Sequence, residues 1–493
     1  MKINKYIPLI TIAIIIIIAA FLRLYRIGDY MAFLGDEGRD ALVVKRMIVD
    51  REFTLLGPIT SIGLMHLGPM YYYFMVPFLW LWNFNPVGPA VMVALFSLAT
   101  VILIWKICID YFDKRAAVVA ALLYGLSPLV IAYSHSSWNP NILPFWGLLL
   151  IWGLLKVFAS QKPHYFLVTG IALGVAIQLH YIALVYIPLI VVLSLLLGRK
   201  IPIKFYAYGV LGFLTTYAPF IIFEFRHEFI NSKTILEFVT RTGGGKTFGY
   251  AQPLALFWDL TVRLFWRLII VINPDVAKVF LLGIFGSTLI LLRKWASSTR
   301  GIALTILMSW FIVGIGLLAF YTGNIYDYYL MFVFPLPFLL SGVVFSHFSR
   351  LRFGHIVYIV LVVVICVWQI QVTAILKEPN RLAAQAKEIA DFIVDKTQDQ
   401  PFNFALIAGG NSDHGYRYFM EISGHRPQVI ENEAVDPKRT SVTDQLFVVC
   451  EEKICEPRGH SLWEIAGFGR AEITDEWKVG LFKVFRLVHY VGI

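Results

Sequence analysis

The chain has 493 residues, 58% of them hydrophobic and only 15% charged, with mean hydropathy +0.71, whereas soluble proteins carry roughly 45–50% apolar and about 25% charged residues. A soluble multidomain enzyme is excluded, because such a composition cannot cover a water-facing surface with polar groups. The formal charge of +10 splits unevenly: residues 1–373 hold 28 Lys/Arg against 14 Asp/Glu, and residues 374–493 hold 14 against 18. No stretch shows a solvated basic face interleaved with aromatics, so the charge does not point to a nucleic-acid partner. It reads instead as a signal of membrane topology.

In chain order, Lys2 and Lys5 precede an apolar run at 7–22, which Arg23 and Arg26 follow where a signal peptide would have its small-residue cleavage site. An uncleaved first span is therefore expected. Apolar runs long enough to cross about 30 Å of hydrocarbon follow at 88–110, 116–133, 142–157, 165–180, 182–198, 206–223, 277–292, 301–320, 329–346 and 355–373. If these alternate, Lys106, Lys114, Arg115, Lys156, Lys162, Arg199, Lys200, Lys204, Arg293, Lys294, Arg300, Arg350 and Arg352 share the side of Lys2 and Lys5. The loops 134–141 and 321–328 contain no Lys or Arg, so the positive-inside rule puts the N-terminus in the cytoplasm and the tail outside. Residues 68–83 and 255–272 read as helices lying in the interface; Asp259, Arg263 and Arg267 in the second are spaced four apart, on one face. Thirteen spans, with both segments crossing, is the alternative, and the cations favour eleven. The expected architecture is an α-helical polytopic membrane protein of 11–13 spans plus interfacial helices over 1–375. A small extracytoplasmic α/β domain over 376–493 completes it. In that domain Ala386, Ile389, Ala390 and Ile393 form a helical stripe, and 402–408, 445–451 and 477–488 read as strands. Cys108 and Cys366 sit in apolar runs, while Cys450 and Cys455 can pair in an oxidising compartment.

Of the 14 acids before residue 374, only Asp110 and Asp113 fall on the cytoplasmic side. The densest outer group is Gly35-Asp36-Glu37-Gly38-Arg39-Asp40, just beyond the first span. Paired carboxylates at a membrane surface suit general-base work, since a neighbouring acid and partial desolvation raise a carboxyl pKa. The same residues also suit a helix N-terminus, where acids are favoured by the dipole. Further along the same loop stand His66-Leu67-Gly68-Pro69-Met70-Tyr71-Tyr72-Tyr73, a histidine before a Gly-Pro turn and an aromatic helix.

An Asp-Glu pair after the first span, followed about thirty residues later by a polar residue, a Pro turn and an aromatic helix, resembles the GT-C glycosyltransferases. The nearest branch is that of the protein O-mannosyltransferases and aminoarabinose transferases. Residues 120–146, 223–229 and 321–330 resemble later elements of that family, over essentially 1–375. The resemblance implies an inverting transfer of a sugar from a polyprenyl-phosphate donor in the membrane lipid to a hydroxyl of a protein, glycan or lipid acceptor on the outer face. Asp36 matches the family's catalytic aspartate, with Glu37 positioning it or the acceptor, and the family implies no metal or other cofactor. The departing phosphate needs cationic or hydrogen-bonding donors, for which Arg39, His66, Arg226, His227, Arg241 and Lys246 are candidates. The chain departs from the lipid A-modifying branch at Leu67-Gly68-Pro69, where that branch has Lys-Pro-Pro, so His66 is the expected substitute for the lysine. It departs again at Asn139 and Asn141, where that branch has an acid.

Other candidate contacts to donor or acceptor each have an ordinary structural reading beside them. Tyr71 opens the aromatic helix. His135 either donates to a sugar or bonds to backbone, and Asn139-Pro140-Asn141 is either a subsite or a turn. His180 either faces a cavity or ends a span. Tyr326 either stacks on a sugar or belongs to the aromatic belt, and Asp327 is a lone acid in a cation-free turn. Gly243-Gly244-Gly245-Lys246 lacks the spacing and Ser/Thr partner of a phosphate-binding loop and reads as an outer loop. A lipid-sugar flippase or transporter is the rival class, but such proteins show related halves and mid-bilayer charges. A non-catalytic membrane assembly protein is a third reading.

Overall fold

The computed structural model describes residues 3–60, 65–198, 201–243 and 251–492. The chain forms two compact units: residues 1–25, 53–75 and 91–378 make one, and 26–52, 76–90 and 379–493 the other.

The first unit is helical, and it makes the chain a multi-pass membrane protein. Among the described residues, six helices are long and apolar enough to cross a bilayer: Val87–Tyr111, Asn139–Ala159, Ile203–Arg226, Pro274–Trp295, Thr299–Leu318 and Gly354–Gln371. Two bent pairs of helices, Lys114–Leu126 with Pro128–Ser134 and Asp327–Val333 with Pro335–Phe348, reach that length only when taken together, with bends of 58° and 54°. Proline explains both breaks, because Pro128 and Pro335 cannot supply the N–H that a continuous helix needs. Shorter apolar helices cover Pro8–Leu24, Pro163–Leu179 and Tyr181–Leu197, so each of the eleven apolar runs is a helix or a bent pair. The two segments read as interfacial form the helices Met70–Leu81 and Ala251–Phe265.

Polar groups inside this unit are tied to one another. Arg23 is fully buried and donates to Ser97 Oγ at 2.9 Å and to the Gly125 carbonyl at 2.8 Å. Asp110 takes Lys106 and Lys156, each at 2.7 Å. Asp113 accepts the N–H groups of Arg115 and Ala116 as an N-cap and pairs with Arg350 at 2.6 Å. The two acids assigned to the cytoplasmic rim are thus each bound by rim cations.

The second unit is built on a four-stranded sheet in the order β1-β2-β4-β3, with β1 (Asn403–Ile407), β2 (Gln445–Cys450), β3 (Ala471–Val479) and β4 (Phe482–His489). β1 and β2 run parallel and are buried throughout, which is why they read as continuous apolar segments rather than alternating ones. The run 477–488, read as one strand, is two antiparallel strands. Gly480 has φ +57°, the left-handed backbone a tight hairpin turn requires, and it divides the run. Ala386, Ile389, Ala390 and Ile393 are the buried face of the helix Leu382–Thr397, and Cys450 and Cys455 form a disulfide. The helices Gly35–Val49 and His414–Ile422 belong to this unit as well.

Candidate functional site

In the second unit, Gly35-Asp36-Glu37-Gly38 is the first turn of the helix Gly35–Val49, so the helix-start reading and the candidate base coincide. Glu37 is buried, and its carboxylate accepts the Leu34 N–H at 3.1 Å, one arm of a capping box. The Asp36 side chain is 52% exposed. Arg39 Nη1 donates to Asp36 Oδ1 at 2.9 Å, while Arg39 Nε and Nη2 donate to Asp40 Oδ1 at 3.0 and 2.8 Å. Asp40 is fully buried. The desolvation expected at the acid pair therefore falls on Glu37 and Asp40, leaving Asp36 as the open carboxylate of the group. Arg39 is engaged by two carboxylates, and Asp40 is the residue that sequence reasoning passed over, since its burial is set by packing.

The close approach behind this turn depends on Gly38. A Cβ at Gly38 would fall 2.4 Å from Gly415 N, backbone that cannot rotate away. Gly38→Ala is accordingly expected to destabilise this unit by about 1–3 kcal/mol through overpacking, read as a lowered midpoint of its thermal unfolding.

The remaining candidates lie in the first unit. Asp327 receives Arg263 Nε at 2.6 Å and Arg267 Nε at 3.1 Å, and Arg263 Nη1 also donates to the Ile325 carbonyl at 2.6 Å. One helical face thus delivers two guanidinium groups to one acid, with a local excess of one positive charge. Beside them are stacked rings. Tyr326 lies parallel to Tyr328 at 5.7 Å, Trp138 meets Tyr328 at 4.7 Å, and His180 stands 5.3 Å from Tyr329. His180 Nδ1 accepts the Ile182 N–H at 3.1 Å.

Other candidates are joined to this group through backbone. Asn139 Nδ2 donates to the Leu179 carbonyl at 2.6 Å, Asn141 Nδ2 to the Ser136 carbonyl at 2.9 Å, and the Tyr71 hydroxyl meets Ser137 Oγ at 2.9 Å. All three side chains are buried; Asn139 and Tyr71 hold the 134–141 loop against its neighbours, and Asn141 braces the loop from within. His66 gives its backbone N–H to Asn231 Oδ1 at 2.8 Å and its carbonyl accepts the Tyr181 hydroxyl. His135 is buried and bonds through Nε2 to the Leu22 carbonyl at 3.1 Å; burial pushes it down to about 4. Of its two readings, the backbone-bonded one is the conformation observed. Arg226 and His227 are exposed, with the His227 ring stacked on Phe223 at 3.9 Å. Nearby Glu224 is spent on the helix Ile230–Gly243, accepting from Asn231 and Ser232. The side chain of Arg241, and Lys246 with most of the glycine run, lie outside the described residues. Among the described residues no group of three or more His, Cys, Asp or Glu is placed to hold a metal ion.

Sequence reasoning put Arg263 and Arg267 on one helical face but assigned them no role. Their spacing of four was the available signal, and their partner Asp327 is some sixty residues away.

Comparison with known proteins bears on both units. Residues 66–223 match the family model described as dolichyl-phosphate-mannose-protein mannosyltransferase. No curated protein sequence matches the chain. Among solved structures, ArnT from Cupriavidus metallidurans, bound to undecaprenyl phosphate, has a TM-score of 0.65 at 14% identity, over 97% of this chain and 97% of that one. The archaeal oligosaccharyltransferase AglB from Archaeoglobus fulgidus, in complex with an inhibitory peptide and a dolichol-phosphate, has a TM-score of 0.53 at 14% identity, over 90% of this chain and 69% of that one. The mycobacterial arabinofuranosyltransferase AftD has a TM-score of 0.51 at 11% identity, over 99% of this chain and 40% of that one.

Proposed function

We propose that this polytopic membrane protein, which has the GT-C glycosyltransferase fold, is an inverting glycosyltransferase using a polyprenyl-phosphate-linked sugar. The observation that carries the reading is the open carboxylate of Asp36, fixed on the first turn of a helix by Arg39 while its neighbours Glu37 and Asp40 are buried. Asp36 takes the proton of the acceptor hydroxyl as that oxygen attacks the anomeric carbon. The bond from that carbon to the phosphate oxygen breaks, and polyprenyl phosphate leaves with the electron pair, so the configuration inverts.

Within the first unit, Arg263 and Arg267 are suited to bind the phosphate of a lipid-linked donor, because a guanidinium matches phosphate bidentately and Asp327 keeps the pair oriented. The rings of Trp138, Tyr326 and Tyr328 offer faces of the kind sugars stack on. The polyprenyl phosphates held by the ArnT and AglB structures support a lipid-linked donor. The acceptor is a hydroxyl of a protein, glycan or lipid in the cell envelope. Incubating purified protein with a panel of radiolabelled polyprenyl-phosphate sugars, and scoring release of polyprenyl phosphate, tests the reading and names the sugar; release from none of them would overturn it.

The distribution of cations supports a reaction on the extracytoplasmic face, and the tail's disulfide supports the same side. The membrane body over 1–375 and the outer domain over 376–493 remain the proposed functional division, with 26–52 and 76–90 grouped with the outer domain. The expected sidedness has a direct check. Asn324→Cys, in an exposed cation-free turn, should be labelled by an impermeant thiol reagent in intact cells, above the background of the native chain. Lys162→Cys should be labelled only after lysis, and the reverse pattern would invert the assignment.

A further inference from the structure

Two sparsely buried helices of the first unit leave between them a space that the proposed reaction does not use. Pro274–Trp295 and Gly354–Gln371 both pack on Pro335–Phe348, and a groove of about 250 Å³ lies among the three. Phe345 and Phe348 line it from the middle helix, Gly283 and Ser287 from one flank, and Tyr358 and Leu361 from the other. The lining is almost wholly apolar, and the space far exceeds the share of about 30 Å³ that one water takes. Inside membrane-spanning helices such a groove is filled by hydrocarbon.

The rim decides whose hydrocarbon it is. The face of Pro274–Trp295 that carries Gly283 and Ser287 returns at Lys294, because eleven residues are about three turns and seven about two at 3.6 residues per turn. Lys294 is exposed in the last turn of that helix, about 10 Å beyond Ser287 at 1.5 Å per residue. Beside it the Trp295 ring meets His347 edge-on at 6.1 Å, and His347 precedes the groove residue Phe348. Arg352 is exposed in the turn that joins the other two helices and lies over the Phe353 ring at 5.6 Å. Among the described residues neither cation has a carboxylate partner. Both acids of this rim are taken, Asp110 by Lys106 and Lys156 and Asp113 by Arg350.

We propose that the groove and its rim bind an anionic phospholipid of the leaflet on that side. One acyl chain lies along Gly283 and Ser287, and Lys294 and Arg352 hold the phosphate head, as basic pockets between spanning helices do. A zwitterionic lipid brings the same chain but adds a positive group beside two cations that already lack a counter-charge. The donor's polyprenyl chain also suits an apolar groove, yet under the proposed sidedness its phosphate belongs at the opposite rim, with Arg263 and Arg267. The site does not depend on the assignment of Asp36.

Native mass spectrometry of the full chain in detergent, titrated with phosphatidylglycerol, phosphatidylcholine or a polyprenyl phosphate, tests the site. The unaltered chain is expected to retain one phosphatidylglycerol in preference to phosphatidylcholine. Lys294→Gln and Arg352→Gln should each weaken that retention about 5-fold, the effect of one cation near an anionic lipid surface. Gly283→Leu should abolish it, because a Cβ there meets no heavy atom within 4 Å and the longer side chain enters the groove without disturbing the helix. Gly286→Leu is the control: a Cβ at Gly286 is equally free, the residue does not line the groove, and binding should match that of the unaltered chain. Equal retention of the two phospholipids, or binding that survives Gly283→Leu, would overturn the proposal. Displacement of phosphatidylglycerol by polyprenyl phosphate would also overturn it and give the groove to the donor's chain. Should Gly283→Leu fail to fold, the double variant Lys294→Gln/Arg352→Gln decides: loss of the preference supports the site, and an unchanged preference overturns it.

Discussion

Asp36→Asn is expected to lower sugar transfer by about 10²–10⁴-fold, the span typical of losing a general base. The amide keeps the size of the side chain and can still accept from Arg39, so the helix start and its capping by Glu37 stay intact. What disappears is the ability to take a proton from the attacking hydroxyl. The loss should therefore appear in kcat, with donor KM close to its original value, because Asp36 makes its decisive interaction only as the acceptor oxygen develops charge. Asp40→Asn is the informative control. It removes the buried charge that holds Arg39 from below and is expected to cost stability before chemistry. Full transfer by Asp36→Asn, measured as released polyprenyl phosphate, would remove the base assignment.

The second large effect is expected at Arg263 and Arg267. Each guanidinium is available to give the donor phosphate a charge-assisted hydrogen bond of about 1.5–3 kcal/mol, so Arg263→Gln or Arg267→Gln should raise donor KM by about 10- to 150-fold. Asp327→Asn separates this from a purely structural role. If the three side chains form only a structural ion-pair cluster, all three substitutions will lower stability alike and leave KM alone. If the arginines hold phosphate, Asp327→Asn frees them from a competing carboxylate and its KM rises far less than theirs. Thermal unfolding and donor titration on the same preparations distinguish the two patterns.

The membrane architecture was legible because lipid imposes a one-dimensional code. A stretch that spans must be apolar for its whole length, and each of the eleven runs in the sequence is a helix or a proline-bent pair. The tail was partly legible: the stripe through Ala386 and Ile393 marked a buried helical face. One hairpin was hidden because Gly480 is a single residue inside an otherwise unbroken strand pattern. The sites were less legible, for a reason of distance. Asn139 and His135 have the polarity of ligands, yet their side chains are bonded to carbonyls 40 and 113 residues away in the chain. Asn411 carried no local pattern at all, since its bond to Gly35 crosses most of the chain. Residue type announces what a side chain can bond to; its partner is decided by tertiary structure.

The separation of 376 residues between Gly35 and Asn411 also governs how the protein is made. At about 5–20 residues per second of synthesis, the ribosome reaches Asn411 on the order of 20–75 s after Gly35. Throughout that interval the glycine face of the helix Gly35–Val49 has no partner, and its unit finishes folding only when the last strands, β3 and β4, arrive. A chain cut short at its C-terminus would thus lose the support of its own proposed catalytic helix. Premature stops and degradation products of this protein are expected to be inserted, helical and inert.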